Sequence, residues 1–146
     1  MNALEKSPQM EAQLEQTIQA LEGVGQDELD WRPVQHEKMR SIGDMMRHIV
    51  QAEDTFINRF VMGQDVQPRT PQTNPTTESL VNDFKTLRSR TIELMRQWSE
   101  TDLQKTYAGP RGMQMSLDRI LQILTGHEIG HRSQILLMRR LKNPDR

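Results

Sequence analysis

The sequence predicts an all-α fold, a four-helix bundle of up-down-down-up topology with a long crossover between its second and third helices. Three observations carry this expectation. Apolar residues recur at three- and four-residue spacing in four segments. No stretch shows the two-residue alternation of a strand over useful length. One connection is too long for a tight link between antiparallel neighbours. At 146 residues the chain is read as a single domain, 1–146, long enough to bury a core.

The first helix is expected from Pro8 to Leu21, with Ser7 as N-cap and Pro8 at the first helical position. Its apolar stripe is Met10, Leu14, Ile18 and Leu21, and Gly23 and Gly25 stop it. Residues 26–40 read as an ordered connection in which Pro33 biases Arg32 away from the α region and Trp31 plugs one end of the core. The second helix opens at Ser41, with Asp44 three residues on as in a capping box. Its seam is Ile42, Met45, Ile49, Ala52, Phe56 and Phe60, bordered by His48.

The segment 63–75 carries three prolines and no periodicity, and thirteen residues at roughly 3.3 Å each can run back along a helix of about 22 residues. The third helix therefore starts at the same end as the second. It begins at Thr76 or Thr77 and carries Leu80, Phe84, Leu87, Thr91, Leu94 and Trp98 in an unbroken 4-3-4-3-4 series. A connection from Glu100 to Met115, with Gly109-Pro110 and Gly112, reads as an irregular excursion. Ser116 caps the fourth helix, which runs to Leu141; its seam is Leu117, Leu121, Leu124, His127, His131, Ile135 and Met138.

Composition excludes several classes. Nineteen basic and twenty acidic side chains leave a net charge of −1, without the basic excess of a nucleic-acid binder. The Arg139-Arg140 and Lys142 cluster suits the negative end of a helix dipole. No apolar run approaches a membrane span and no signal peptide is apparent, so a cytoplasmic location is expected. Hydrophobic content is only 34%, but a disordered chain has no reason to keep helical spacing. There are no cysteines, which leaves histidine and carboxylate as the strong ligand types. Met45, Met95 and Met138 read as core fillers rather than ligands.

A lone histidine on an apolar face is usually a hydrogen-bonded core residue. Two on consecutive turns of one seam, His127 and His131, each need a polar partner, and one metal ion serves both. His48 has a helical phase compatible with the same point, whereas His36 falls in a connection and reads as a surface residue. Both a hydrogen-bonded set and a metal site stand at this stage. Three imidazoles plus a water would make an open zinc site of the catalytic type, and nickel or iron would suit the same donors.

His127-Glu128-Ile129-Gly130-His131 also matches the zinc-protease pattern H-E-x-x-H. That reading fails on scaffold. Among the fifteen residues after His131 only Asp145 offers a further ligand, and no strand is visible to hold an extended peptide. Glu128 stays open as a residue that reaches a bound water or merely flanks the seam.

Trp31-Arg32-Pro33, the helix opening at Ser41 with His48, and His127-x-x-x-His131 followed by Arg132-Ser133-Gln134-Ile135 together resemble the DinB/YfiT-like superfamily. The resemblance covers about Leu4 to Leu141; the family norm of a small residue, commonly Gly, after the arginine is met here by Ser133. It implies an up-down-down-up bundle, a divalent metal held by His48, His127 and His131, and frequent homodimers. Characterised relatives include metal-dependent transferases and isomerases that use a low-molecular-weight thiol, and proteins proposed as metal-dependent hydrolases. Lacking cysteine, this chain would borrow its sulfur from a cosubstrate. The first expectation is a metal-dependent thiol S-transferase acting on small electrophiles; the second is a hydrolase using bound hydroxide; the third is a non-catalytic, stress-related metal-binding protein.

Overall fold

The computed structural model describes residues 1–36, 38–67 and 75–145. Within them the chain is mostly helical. Seven α-helices are formed: α1 (Ala3–Lys6), α2 (Gln9–Ala20), α3 (Gln26–Asp30), α4 (Ile42–Glu53), α5 (Thr77–Gln97), α6 (Glu100–Leu103) and α7 (Leu117–Lys142). α4 continues without a break into a π-helix, Asp54–Val61.

The predicted caps of the later helices form. Ser41 Oγ accepts the Asp44 N–H at 3.1 Å and the Asp44 carboxylate accepts the Ser41 N–H at 3.0 Å, which satisfies two amides that open α4. Asp44 also takes Arg32 at 3.0 Å and Arg47, so the Trp31-Arg32-Pro33 segment is tied to the start of α4. Thr76 and Ser116 cap α5 and α7 in the same way through Ser79 N–H and Arg119 N–H. The first helix departs from expectation: Ser7 ends α1, and Pro8 occupies the cap position of α2 without a side-chain bond. Asn2 and Glu5 form a capping box that makes a separate turn of helix from residues the sequence pattern left unassigned.

The chain is mostly helical, consistent with the all-α expectation, and adds one small hairpin to it. Thr106–Ala108 (β1) and Gln114–Ser116 (β2) form an antiparallel hairpin, Thr106 facing Ser116 and Ala108 facing Gln114. Three-residue strands are too short to display alternation, and the signal that existed was the turn itself. There Arg111 and Gly112 adopt positive φ of 58° and 74° beside Pro110. The long connection from Gly63 lies partly at 68–74, outside the described residues.

α2 packs on α5 and α7, and α4 packs on the same two helices. The enclosed core has two apolar clusters. One gathers Leu21, Leu29, Ile42, Met46, Ile49, Phe84 and Ile135; the other gathers Met10, Ile57, Met95, Leu117, Ile120 and Leu124. Trp31 packs part-buried against the first, as expected of a plug, and Met45, Met95 and Met138 are all buried core residues. Between the clusters every long helix contributes a buried polar side chain: Thr17 from α2, Glu53 from α4, Arg88 and Thr91 from α5, Glu128 from α7.

That polar layer explains where the predicted stripes slip. On α2 the buried residues are Met10, Gln13, Thr17 and Ala20, while Leu14 and Ile18 are only half-buried. On α4 the seam turns at Glu53, and the wider π turns that follow carry Ile57 and Asn58 inward. Phe56 and Phe60 are left half-buried, edge to face at 5.4 Å. On α5 Arg88 and Met95 are buried and Leu94 and Trp98 are half-buried.

Candidate metal centre

α4 and α7 are packed neighbours, and their contact brings His48 to His127 and His131. The two histidines of α7 are four residues apart and share a face. His127 Nε2 lies 3.0 Å from His48 Nε2 and 3.2 Å from His131 Nε2. All three rings are half-buried, at the level of the polar layer but on its solvent side. The seam histidines therefore do not replace core residues in the middle of α7, as the pattern suggested; Glu128 does. His36 is exposed, as expected.

Three imidazole nitrogens this close need something between them. His131 Nδ1 donates to Gln134 Oε1 at 2.8 Å, an assignment that puts the ring proton on Nδ1 and leaves Nε2 with a lone pair. One proton on His127 Nε2 can then serve only one of its two neighbours. A cation serves all three lone pairs at once. Tetrahedral zinc with bonds of about 2.05 Å sets nitrogens roughly 3.3 Å apart, close to what is found. Among the described residues this is a group that can hold a metal ion.

The electrostatics favour neutral rings. Burial lowers the pKa of His127 to about 4, with further contributions from His131, His48 and Arg40. Burial likewise holds His48 below its ordinary value, with Arg40 and His131 adding to it. Neutral imidazole is the ligating form.

The sequence model of the DinB superfamily matches residues 9–135. This chain belongs to the DinB superfamily. A DinB-like protein from Bacillus cereus shares the fold with a TM-score of 0.80 at 18% identity, over 97% of this chain and 95% of that one. A DinB-like protein from Bacillus subtilis does so with a TM-score of 0.67 at 20% identity, over 90% and 87%. No curated protein matches the sequence.

In this DinB domain Glu128 has a different task from the one the protease-like pattern suggested. It is 1% exposed, and both carboxylate oxygens are engaged. Oε1 accepts from Arg88 Nη2 at 2.6 Å and Oε2 accepts from Thr17 Oγ1 at 2.5 Å. Arg88, also 1% exposed, donates to Glu53 Oε1 from Nε at 2.9 Å and from Nη2 at 2.7 Å, and to the Met10 carbonyl from Nη1 at 2.9 Å. Thr91 donates to Glu53 Oε2 at 2.8 Å, and Arg132 reaches Gln13 and Thr17 from the outer side. Burial alone would lower the Arg88 pKa, but the charges of Glu53 and then Glu128 outweigh it and raise it. Glu53, Glu128 and Arg132 each follow a histidine by five residues or one, so the network holds the backbone that carries the site. Sequence reasoning missed it, although Arg88 sits four residues after Phe84 and three before Thr91, on the seam itself. Gln134, in sequence merely the third residue after His131, orients that ring.

The basic C-terminal cluster also does more than meet a helix dipole. Arg139 pairs with Glu28 at 2.7 Å and donates to the Ala20 carbonyl at 2.9 Å, tying α7 to α3 and to the end of α2.

Proposed function

We propose that this DinB protein is a metal-dependent enzyme that transfers a low-molecular-weight thiol to small electrophiles, using a divalent ion held by His48, His127 and His131. Zinc or nickel suits three neutral imidazoles best, and iron is also compatible. The observation that carries this reading is the meeting of three Nε2 atoms with separations of 3.0 and 3.2 Å, on helices tied together by a buried ionic layer. A divalent ion there supplies Lewis acidity that lowers the pKa of a bound thiol or water. The chain's own residues do the rest: Gln134 fixes the tautomer of His131, burial keeps His127 neutral, and the half-exposed rings leave room for a substrate. With no cysteine in the chain, the sulfur comes from a cosubstrate.

The up-down-down-up course is part of this reading. Its support is the order in which the long helices pass the two core clusters. α2 and α7 run from the cluster of Met10 and Leu117 to that of Leu21 and Ile135, and α4 and α5 run the opposite way. A homodimer and a cytoplasmic location belong to the same proposal, the first on family grounds. No described helix is long and apolar enough to cross a membrane.

Solvent access to the half-exposed site also favours a second reading, hydrolysis by water activated at the metal. One experiment separates them. The purified protein is assayed for bound metal, then for loss of a supplied thiol against an electrophile and for ester hydrolysis. Thiol consumption that disappears in His48→Ala supports the transferase; hydrolysis without thiol supports the second reading. Metal without either reaction leaves the binding-protein reading in place. Metal content unchanged by His48→Ala overturns the triad.

A further inference from the structure

Beside the histidines lies a pocket of about 270 Å³ lined by Lys38, Met39, Arg40, Met45, His131 and Gln134. It takes in one of the three imidazoles and the side chain that orients it. Its other wall is the segment leading into α4, which carries two cations, while Met39 and Met45 supply apolar surface. Among the described residues neither Lys38 nor Arg40 has a carboxylate partner, unlike Arg32 and Arg47 nearby, which both pair with Asp44.

Lys38 and Arg40, without a carboxylate partner among the described residues, place two positive charges beside a divalent site. Three neutral imidazoles bring no charge to offset a dication, so the ion, Lys38 and Arg40 together contribute +4, a field that favours an anionic ligand. Arg presents a planar fork that matches a carboxylate, and Lys adds a mobile point charge. The volume is at the small end of ligand pockets, enough for a compact molecule rather than a peptide.

We infer that this pocket binds the carboxylate-bearing end of a small substrate, with Arg40 and Lys38 as its recognition residues and His131 marking the side from which its reacting group meets the metal. The inference deepens the proposal above and rests on it for the metal. It makes the thiol cosubstrate an acidic one, a carboxylate thiol rather than a neutral or amino thiol. Arg40 and Lys38 act in selection and not as ligands, so their removal spares the metal.

The test uses the cobalt-loaded protein, whose sulfur-to-cobalt absorption reports thiol binding, with mercaptosuccinate and 2-mercaptoethanol as probes and cobalt retention measured alongside. Mercaptosuccinate is expected to bind at least about tenfold more tightly, the equivalent of one charge-assisted hydrogen bond. In the double variant Lys38→Gln, Arg40→Gln the ratio falls towards one while cobalt content stays the same. A wild-type ratio near one, or a preference that survives in the variant, overturns the inference. A second arm separates this from failure of the metal reading: metal-free protein is titrated with succinate and followed by NMR. Shifts at Met45 and Gln134 that vanish in the double variant support the pocket even if cobalt does not bind, and their absence in the wild type counts against it.

Discussion

A single nitrogen of Arg88, Nη2, donates to Glu128 at 2.6 Å and to Glu53 at 2.7 Å, bridging α5 to α7 and α4 in the middle of the core. Removing the guanidinium leaves two carboxylates buried without a counter-charge, and breaking a buried pair in this way costs about 3–5 kcal/mol. Arg88→Met is therefore expected to lower the melting temperature by roughly 10 °C or more for a domain of this size. Arg88→Lys should fall between, because an ammonium can meet one carboxylate but not reproduce the bridge. Thermal unfolding followed by circular dichroism checks both; a change of a degree or two in Arg88→Met would show that the network contributes little.

The histidines obey the opposite rule. His48 and His131 are half-buried and bonded chiefly to each other's neighbour, so their truncation opens no core cavity. His48→Ala and His131→Ala should each keep the metal-free melting temperature within a few degrees while bound metal, read by elemental analysis after dialysis, drops to background. Loss of fold together with loss of metal would make these rings structural instead.

Gln134 gives a graded version of the same experiment. It is exposed and meets the histidines through the His131 Nδ1–H, so Gln134→Ala changes tautomer control and not the ligand count. Metal affinity is expected to fall about 10–100-fold, the usual effect of losing an outer-shell partner. Gln134→Glu, which keeps an acceptor, should retain most of it. Competition with a chromophoric chelator measures the difference.

What sequence reading recovered and what it missed divide along physical lines. Ser41 with Asp44, Thr76 and Ser116 were legible because a cap is a local hydrogen bond between residues three apart. The meeting of His48, His127 and His131 was legible because two histidines on one helical face and a third in phase on another long helix are an unusual pattern. Arg88 and Glu53 carry no such signal, because helical periodicity marks the apolar residues of a stripe and not the charged ones that share it. The slip from Phe56 and Phe60 to Ile57 and Asn58 had no such signal, since a π-helix changes the period that the reading assumes. Glu128 was conspicuous for the wrong reason: its place in H-E-x-x-H drew attention to the metal side of α7, and its carboxylate faces the core.

Acidity supplies the remaining prediction. Burial first, then neighbouring charge, holds His48 below the ordinary 6.5 and brings His127 to about 4. Between about 4 and 6.5 the folded protein thus binds fewer protons than the unfolded chain, so stability rises with pH across that window and is lost as pH falls through it. Above 6.5 both states are neutral at these positions and their contribution is flat. Metal binding follows the same course, since protons compete for His127 only well below neutrality. Equilibrium dialysis should find metal held with nearly constant affinity from pH 8 to about 6.5 and released progressively towards pH 4. Over the same range the metal-free protein should lose melting temperature, and His127→Ala should flatten part of that slope. A steep loss of affinity already between pH 7 and 6 would mean that burial does not hold these rings neutral and ready for the ion.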